Sequence, residues 1–325
     1  MLRFIALRLA LAIPTLLAIS FLVFVAAYLS PADPVDILLG QRASPEAKAR
    51  TRHEWGLDRP LLVRYADYVS GIVTRGDFGR SYLTREPVAE RIARGFPNTA
   101  TLAVGALALS LIVGIPLGIT SAVFANKPFD RIAMAIALAG VAIPSFVLAP
   151  VLVLTLVLQA KLSWLSVIGF AIPTRVDPKY FILPIVVLSL RSLAMITRLT
   201  RAAMLEILGQ DYIRTARAKG LPLHTILFKH ALKNAFPPIL TVAGTTFGYL
   251  LSGSFVIETF FNIPGIGAES ITSILNRDYP VIQGMALFLA TIFVLVNLLV
   301  DIAYGFLDPR ARAYGQEITR KAGVA

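Results

Sequence analysis

The chain has 325 residues, 56% of them hydrophobic and only 15% charged, with a mean hydropathy of +0.72. Soluble domains carry roughly 25% charged residues, so a chain this apolar needs lipid around it. It has no cysteine, which excludes disulfides and thiolate metal sites. The formal charge of +12 does not point to nucleic acid, because the basic residues sit mainly beside predicted spans, where cytoplasmic positive bias explains them.

Arg3 and Arg8 precede an apolar run over residues 9–29. That run exceeds a signal-peptide core of about 7–15 residues and lacks a clear cleavage site, so it is expected to be retained as a first span. Residues 1–30 form this first segment, and a polar external segment follows over 31–97. Within it, Ser44-Pro45-Glu46 reads as a helix N-cap, a proline at the first helical position and an early acid. Gly56 stops that helix, and a second begins at Pro60, with Leu61, Leu62, Tyr65, Tyr68, Val69, Ile72 and Val73 at helical spacing. Gly76-Asp77-Phe78-Gly79 is a turn, and 87–95 a short helix.

Residues 98–305 read as a core of five further spans. Asn98 or Thr99 caps the second span, 99–125; Lys127 and Arg131 mark a short cytoplasmic loop; the third span is 132–158. Trp164 and Tyr180 are interface anchors of an external loop at 159–180. The fourth span ends near Arg198 or Thr200. A polar stretch, 206–238, separates it from the fifth, 239–260. A Gly/Pro-rich loop, 262–279, precedes the sixth, 281–304. The tail, 306–325, carries Arg310, Arg312, Arg320 and Lys321. The fold class is therefore all-α and integral to the membrane, with six transmembrane helices and both ends inside.

No GxxxxGK[ST] loop is present, so the chain is not expected to hydrolyse ATP. There is no GxSxG elbow, no HExxH among its three histidines and no mid-span carboxylate pair. Catalysis is not expected, nor a metal site or a cofactor bound by this chain. A self-sufficient carrier or channel and an intramembrane enzyme remain the competing classes.

The stretch 206–238 carries the clearest signal. The segment 202–219 can continue the fourth span as a helix, with Gly220 as its cap after basic Arg217 and Lys219. Pro222 restarts a helix whose Leu223, Ile226, Leu227 and Ala231 line one face, and Pro237-Pro238 ends it. A helix–glycine–helix of this kind serves either as an interfacial amphipathic linker or as a docking knob for a soluble partner.

In the run Asp211-Tyr212-Ile213-Arg214-Thr215-Ala216-Arg217-Ala218-Lys219-Gly220, followed by His230-Ala231-Leu232-Lys233-Asn234-Ala235, the chain resembles the cytoplasmic loop of ATP-binding-cassette importer permeases, the EAA-loop (type I) superfamily. It is most similar to the dipeptide/oligopeptide/nickel branch and its "B" type membrane subunit. The likeness covers nearly the whole chain: Pro31-Ala32-Asp33-Pro34, Gly56-Leu57-Asp58-Arg59-Pro60-Leu61, Gly76-Asp77-Phe78-Gly79-Arg80-Ser81, Gly114-Ile115-Pro116-Leu117-Gly118, Gly253-Ser254 through Glu258, Pro264-Gly265-Ile266-Gly267 and Asp278-Tyr279-Pro280. The Glu-Ala-Ala of the general loop falls on Arg214-Thr215-Ala216, and its late proline on Lys233.

The resemblance implies a permease in the cytoplasmic (inner) membrane of a prokaryote, importing peptides, glutathione or nickel. It implies a second homologous permease chain, so a heterodimer, with one or two ATPase subunits using ATP and Mg, and an extracytoplasmic solute-binding protein. Asp211, Tyr212, Arg214, Thr215, Ala216, Arg217, Lys219, Gly220 and Leu221 would couple to the ATPase. For the substrate pathway, Arg191 near the middle of the fourth span is the first candidate; it either meets an anionic group, snorkels, or pairs with Asp301 or Glu258. Glu258, Gln283 and Asn297 are the remaining candidates, each able instead to bond a neighbouring helix.

Overall fold

The computed structural model describes residues 2–30, 33–40, 42–160 and 178–307. Among them there is no strand, only an isolated antiparallel bridge between Arg80 and Pro87. The helices are α1 (Leu2–Tyr28), α2 (Pro34–Leu39), α3 (Pro45–Glu54), α4 (Leu61–Arg75), α5 (Val88–Val123), α6 (Pro128–Ala142), α7 (Ser145–Leu152), α8 (Lys179–Leu208), α9 (Asp211–Ala218), α10 (Leu223–Thr225), α11 (Leu232–Phe261), α12 (Ile266–Leu275) and α13 (Tyr279–Leu307). Two π-helical segments, Val153–Gln159 and Ile226–Ala231, continue α7 and join α10 to α11. Trp164 and the basic residues of the expected tail lie outside the described residues.

Four helices are long and apolar enough to cross a membrane, or six if each of two bent pairs is one span. One bent pair is α6 with α7 and its continuation, at 107°. The expected third span is thus broken at Ile143-Pro144. Ile143 is extended (ψ 119°), as the ring of the following proline demands, and Pro144 then opens α7.

The described residues fall into two compact units. The first comprises residues 6–99 and 263–295. Its short helices follow the local rules of the sequence. Ser44 Oγ accepts from the Ala47 amide at 3.2 Å and starts α3. Gly56, at φ +64°, ends it, with its own amide on His53 O and the Leu57 amide on Arg52 O. Hydrogen bonding to His53 holds the Asp58 carboxyl below its ordinary range, and burial pushes the Tyr68 and Tyr82 phenols above theirs. Tyr65 of α4 meets Ser20 Oγ of α1 at 2.8 Å and packs edge-on against Phe21.

The helix expected at 87–95 and the second span are one element, α5, continuous through Pro97. Asn98 and Thr99 are not its cap. Instead Asn98 Nδ2 donates to Pro264 O at 2.7 Å, and Thr99 Oγ1 accepts from the Ile266 amide at 2.9 Å, which starts α12. The sequence marked this region only as a loop, yet it holds a ten-residue helix. Val88, Ile92, Ile266, Val281 and Met285 form the unit's core, edged by Phe78, Phe96, Phe288 and Leu289. Beside it, buried Asp278 accepts from Ser81 Oγ at 2.5 Å and from the Tyr82 amide at 2.9 Å. Arg91 closes the cluster, ion-paired with Glu269 and 3.5 Å from Asp278.

The second unit comprises residues 100–262 with 296–307 and the first residues of α1. Helix α8 is its centre, packed along α6 and α11. Small residues let α5 approach α8 closely. A Cβ on Gly118 would stand 2.5 Å from Thr200 Cβ and 2.7 Å from Thr197 O; one on Gly114 would stand 3.2 Å from Leu193 O. By contrast, only 6% of the apolar window of α13 and 11% of that of α1 are covered by the chain itself.

Candidate functional site

Between α8 and α11, charged and apolar side chains protrude together from a base anchored in a buried core. Helix α8 does not run on through residue 219 as the sequence suggested. It stops at Leu208, and Gln210 is extended (φ −73°, ψ 150°) before α9 begins. Gly209 and Gln210 make the break, since glycine is a weak helix former.

Helix α9 is short and strongly two-sided. Ile213 and Ala216 point inward; Asp211, Tyr212, Arg214, Thr215 and Arg217 are exposed. The inward pair joins Ile119 and Ala122 of α5, Met204 of α8, and Ile226, Leu227, Ala231 and Ala235 in one core. Asp211 sits in the first turn, where a carboxylate favours the helix dipole, and bonds Arg214 at 3.2 Å. The Tyr212 hydroxyl accepts from Asn234 Nδ2 of α11 at 2.8 Å.

The exit from α9 matches the expected glycine cap. Gly220 has φ +73°, its amide bonds Arg217 O at 2.9 Å, and the Leu221 amide reaches Ala216 O at 3.3 Å. This paired arrangement needs a left-handed residue at position 220, which glycine supplies without a Cβ penalty. The chain then turns at Pro222 into α10. Ile226, Leu227 and Ala231 face the core as expected, but Leu223 is exposed. The expected stop at Pro237-Pro238 does not occur: α11 passes through both prolines. Prolines lack the N–H, which frees the carbonyls of Lys233 and Asn234, but they are tolerated in membrane helices where other groups satisfy such carbonyls.

The stretch thus places eight of the nine candidate coupling residues on one exposed surface, with Ala216 buried beneath them. Leu223 and Phe228 add exposed apolar tips, and Lys229 and Lys233 further positive charge.

Two steps back along α8 lies a contact that the sequence reading missed. Asp130, buried at the start of α6, takes Arg201 Nε at 2.6 Å and Nη2 at 2.7 Å and also accepts from the Asn126 amide at 2.8 Å. A fork-on-carboxylate pair of this kind fixes orientation as well as distance. It locks α6 to α8 seven residues before α8 ends. The only hint in sequence is an acid in the first turn after Pro128.

The pathway candidates separate by burial. Arg191 is exposed on α8 and has no ion pair or hydrogen bond among the described residues, so the alternative of a pair with Glu258 or Asp301 is not seen. Glu258 is fully enclosed in α11; Gln283 and Asn297 are half-buried on α13. No group of three or more His, Asp or Glu is gathered as a metal site among the described residues.

Comparison with known proteins agrees with this geometry. Residues 114–313 match the family described as "Binding-protein-dependent transport system inner membrane component", and residues 1–103 match its N-terminal companion family. A peptide transport system permease protein of Brucella abortus is 41% identical over 94% of this chain and 97% of its own length. The dipeptide transport system permease protein of Escherichia coli K12 is 40% identical over 96% of this chain and 99% of its own. The glutathione transport system permease protein of E. coli O1:K1 is 39% identical over the same shares. Among solved structures, the inward-facing MetNI methionine ABC transporter shares the fold, with a TM-score of 0.57 at 20% identity over 68% of this chain and 97% of that one. With both family matches and relatives aligned end to end, the chain belongs to the binding-protein-dependent transport system inner membrane components, the multi-pass permease subunits of ATP-binding-cassette importers.

Proposed function

We propose that this permease imports di- or oligopeptides by alternating access, and that the stretch 206–238 is where ATPase subunits drive it. The observation that supports the coupling role is the exposed cationic and apolar surface of α9 and its glycine cap, standing on a core shared with α5, α8 and α11. Such a surface suits an acidic groove with an apolar floor on an ATP-binding-cassette subunit, which would bind and hydrolyse ATP with Mg. Movement of α9 passes to the spans through that core, and the ligand-driven shift between two packings supplies the work.

Counting each bent pair as one span gives six, so the chain returns to the side on which it starts. Lys127, Arg131 and the cations of α9 then share the cytoplasmic side. The pore would form against a second, similar but non-identical permease chain, and the external segment 31–97 would receive the solute-binding protein. Arg191 would meet the solute's carboxylate within the pathway, with Glu258, Gln283 and Asn297 as further candidates along it. The named relatives support peptides as cargo, and the glutathione permease among them supports a second reading, glutathione, itself a peptide.

The test is reconstitution in proteoliposomes with the permease, ATPase and binding-protein subunits encoded beside it. Dipeptide uptake coupled to ATP hydrolysis is expected, and glutathione or nickel ion as the sole accepted cargo overturns the peptide reading. Arg191→Gln is expected to lower uptake of anionic and zwitterionic peptides at least tenfold with assembly intact; unchanged uptake and preference remove Arg191 from the pathway.

A further inference from the structure

Helix α11 carries a polar stripe on its outer face that no other apolar helix among the described residues matches. Between residues 241 and 259 the exposed positions are Thr241, Thr245, Tyr249, Ser252, Val256 and Thr259. Their spacing of three and four places Thr241, Thr245, Tyr249 and Ser252 on one side of the helix, up to a 43° bend after Ser252. The opposite side, with Ile239, Ala243, Leu250 and Ile257, is buried. On the other long helices most exposed mid-helix residues are apolar, such as Ile112 of α5, Ile132 and Ile136 of α6, and Leu299 of α13, with Thr15 of α1 and Arg191 of α8 as exceptions. Ser and Thr hydroxyls that bond their own helix can face hydrocarbon, but the Tyr249 phenol, 76% exposed and without such a bond among the described residues, would lose its hydration with nothing in return.

A second observation comes from the neighbouring helix. Met204 of α8 and Ala235 of α11 share one core, and the two helices pack along each other. Counting from that anchor at 1.5 Å per residue, Arg191 lies about 20 Å up α8 and Tyr249 about 21 Å up α11. Both therefore sit at one level, near the middle of their helices. The Arg191 guanidinium and the Tyr249 phenol have no partner among the described residues, and Tyr249 is 76% exposed. An unpaired guanidinium at mid-depth faces water or an anion rather than lipid.

The hydrogen-bond directions say what could bind. Thr241, Thr245, Ser252 and Thr259 each donate their hydroxyl proton to a carbonyl of their own helix, to Pro237, Thr241, Gly248 and Phe255 respectively. Their outward oxygens are left as acceptors. The face therefore offers a column of acceptors beside a fixed cation.

We propose that the α11 stripe with Arg191 forms a hydrated recognition track for a solute carrying both N–H donors and a carboxylate: donors on the Thr245–Tyr249–Ser252 side, carboxylate on Arg191. This rests on the peptide reading above and adds the residues that would select such a cargo.

The chain lacks cysteine, so single cysteines report water access directly. In the reconstituted importer, Thr245→Cys, Ser252→Cys and Val256→Cys are expected to react with a membrane-impermeant cationic methanethiosulfonate at least tenfold faster than Ile136→Cys or Leu299→Cys. Dialanine delivered by the binding protein should slow that reaction severalfold. Tyr249→Phe and Thr245→Val should raise the KM for dialanine severalfold, while Thr245→Ser leaves it near the parent value. Slow labelling, or rapid cross-linking of the stripe cysteines to the second permease chain, overturns the proposal by making the stripe a dry interface. Fast labelling that dialanine does not slow, in an importer that carries dialanine, overturns it as a recognition track and leaves the peptide reading standing. Dialanine uptake by the importer with the parent chain tests the peptide reading on its own.

Discussion

Asp130 carries more of the architecture than its place in a short loop suggests. Its carboxylate is 3% exposed, and both Arg201 nitrogens it holds belong to the helix that leads into α9. Removing one partner of a buried pair leaves an uncompensated charge, at a cost of about 3 kcal/mol or more. Asp130→Ala is therefore expected to lower the thermal midpoint of the detergent-purified chain clearly, and Asp130→Asn, which keeps a hydrogen-bond acceptor, to lower it less. An equal fall for both points to the lost charge, which the two variants share, rather than to the packing and acceptor that Asn keeps. Gly118 acts through absence. Its missing side chain lets α5 reach the backbone of α8 at Thr197. Gly118→Ala must push that carbonyl away and is expected to cost about 1–3 kcal/mol, read as faster unfolding. Residues with local partners were legible in the sequence: Ser44, Gly56 and Gly220 stand where capping rules place them. Asp130 was not, because its partner lies 71 residues away and nothing local announces it.

At the scale of elements, the sequence located α3, α4 and the glycine turn after α9 within a residue or two. It misread the places where a helix either stops without a strong breaker or continues despite one. Gly209-Gln210 ends α8 quietly, while α5 runs through Pro97 and α11 through Pro237-Pro238. Tertiary packing decides in each case, since flanking helices satisfy or displace the groups that local propensity prices. The cap of α9 supports a sharp test. At φ +73° proline cannot be accommodated at position 220, because its ring fixes φ near −65°. Gly220→Pro should leave membrane insertion intact, abolish the Leu221–Ala216 hydrogen bond, and separate ATP hydrolysis from uptake in proteoliposomes. Gly220→Ala, with open space around its Cβ, should cost only about 1 kcal/mol and retain most uptake. If both variants transport normally, α9 is a passive linker.

Taken whole, the chain divides its surface sharply. Helix α8 has 56% of its apolar window covered, while α1 and α13 are almost bare. The apolar faces of the bare helices are what lipid accepts, and the exposed Tyr249 phenol of α11 is not. That the chain is built of several apolar helices long enough to cross a membrane was readable from hydropathy alone. The burial that separates one face of a span from another was not, since periodicity gives a helix its sides but does not say what each side meets. The external segment is the part whose removal is most informative. Deleting 44–74 takes away Tyr65, the partner of Ser20 on α1, yet leaves the Asp278 cluster in place. Assembly with the other subunits is expected to persist, while stimulation of ATP hydrolysis by loaded binding protein falls at least fivefold. Full stimulation by the shortened chain removes this segment from binding-protein contact.

The Asp278 cluster also bears on how the protein is made. Ser81 and Asp278 are separated by 197 positions, and Thr99 meets Ile266 across 167. At a synthesis rate of about 5–20 residues per second, the early half of this unit waits roughly ten to forty seconds for the partners that complete it. During that interval the stretch from Ser81 to Thr99 has left the ribosome with its hydroxyls and Arg91 unmatched. A nascent chain stalled in the fifth span would present that unfinished face to proteases, whereas one released past Asp278 would not. Protection of the segment around Arg85 from added protease is thus a clock for completion of the chain, and Asp278→Ala should stop that clock without shortening the polypeptide.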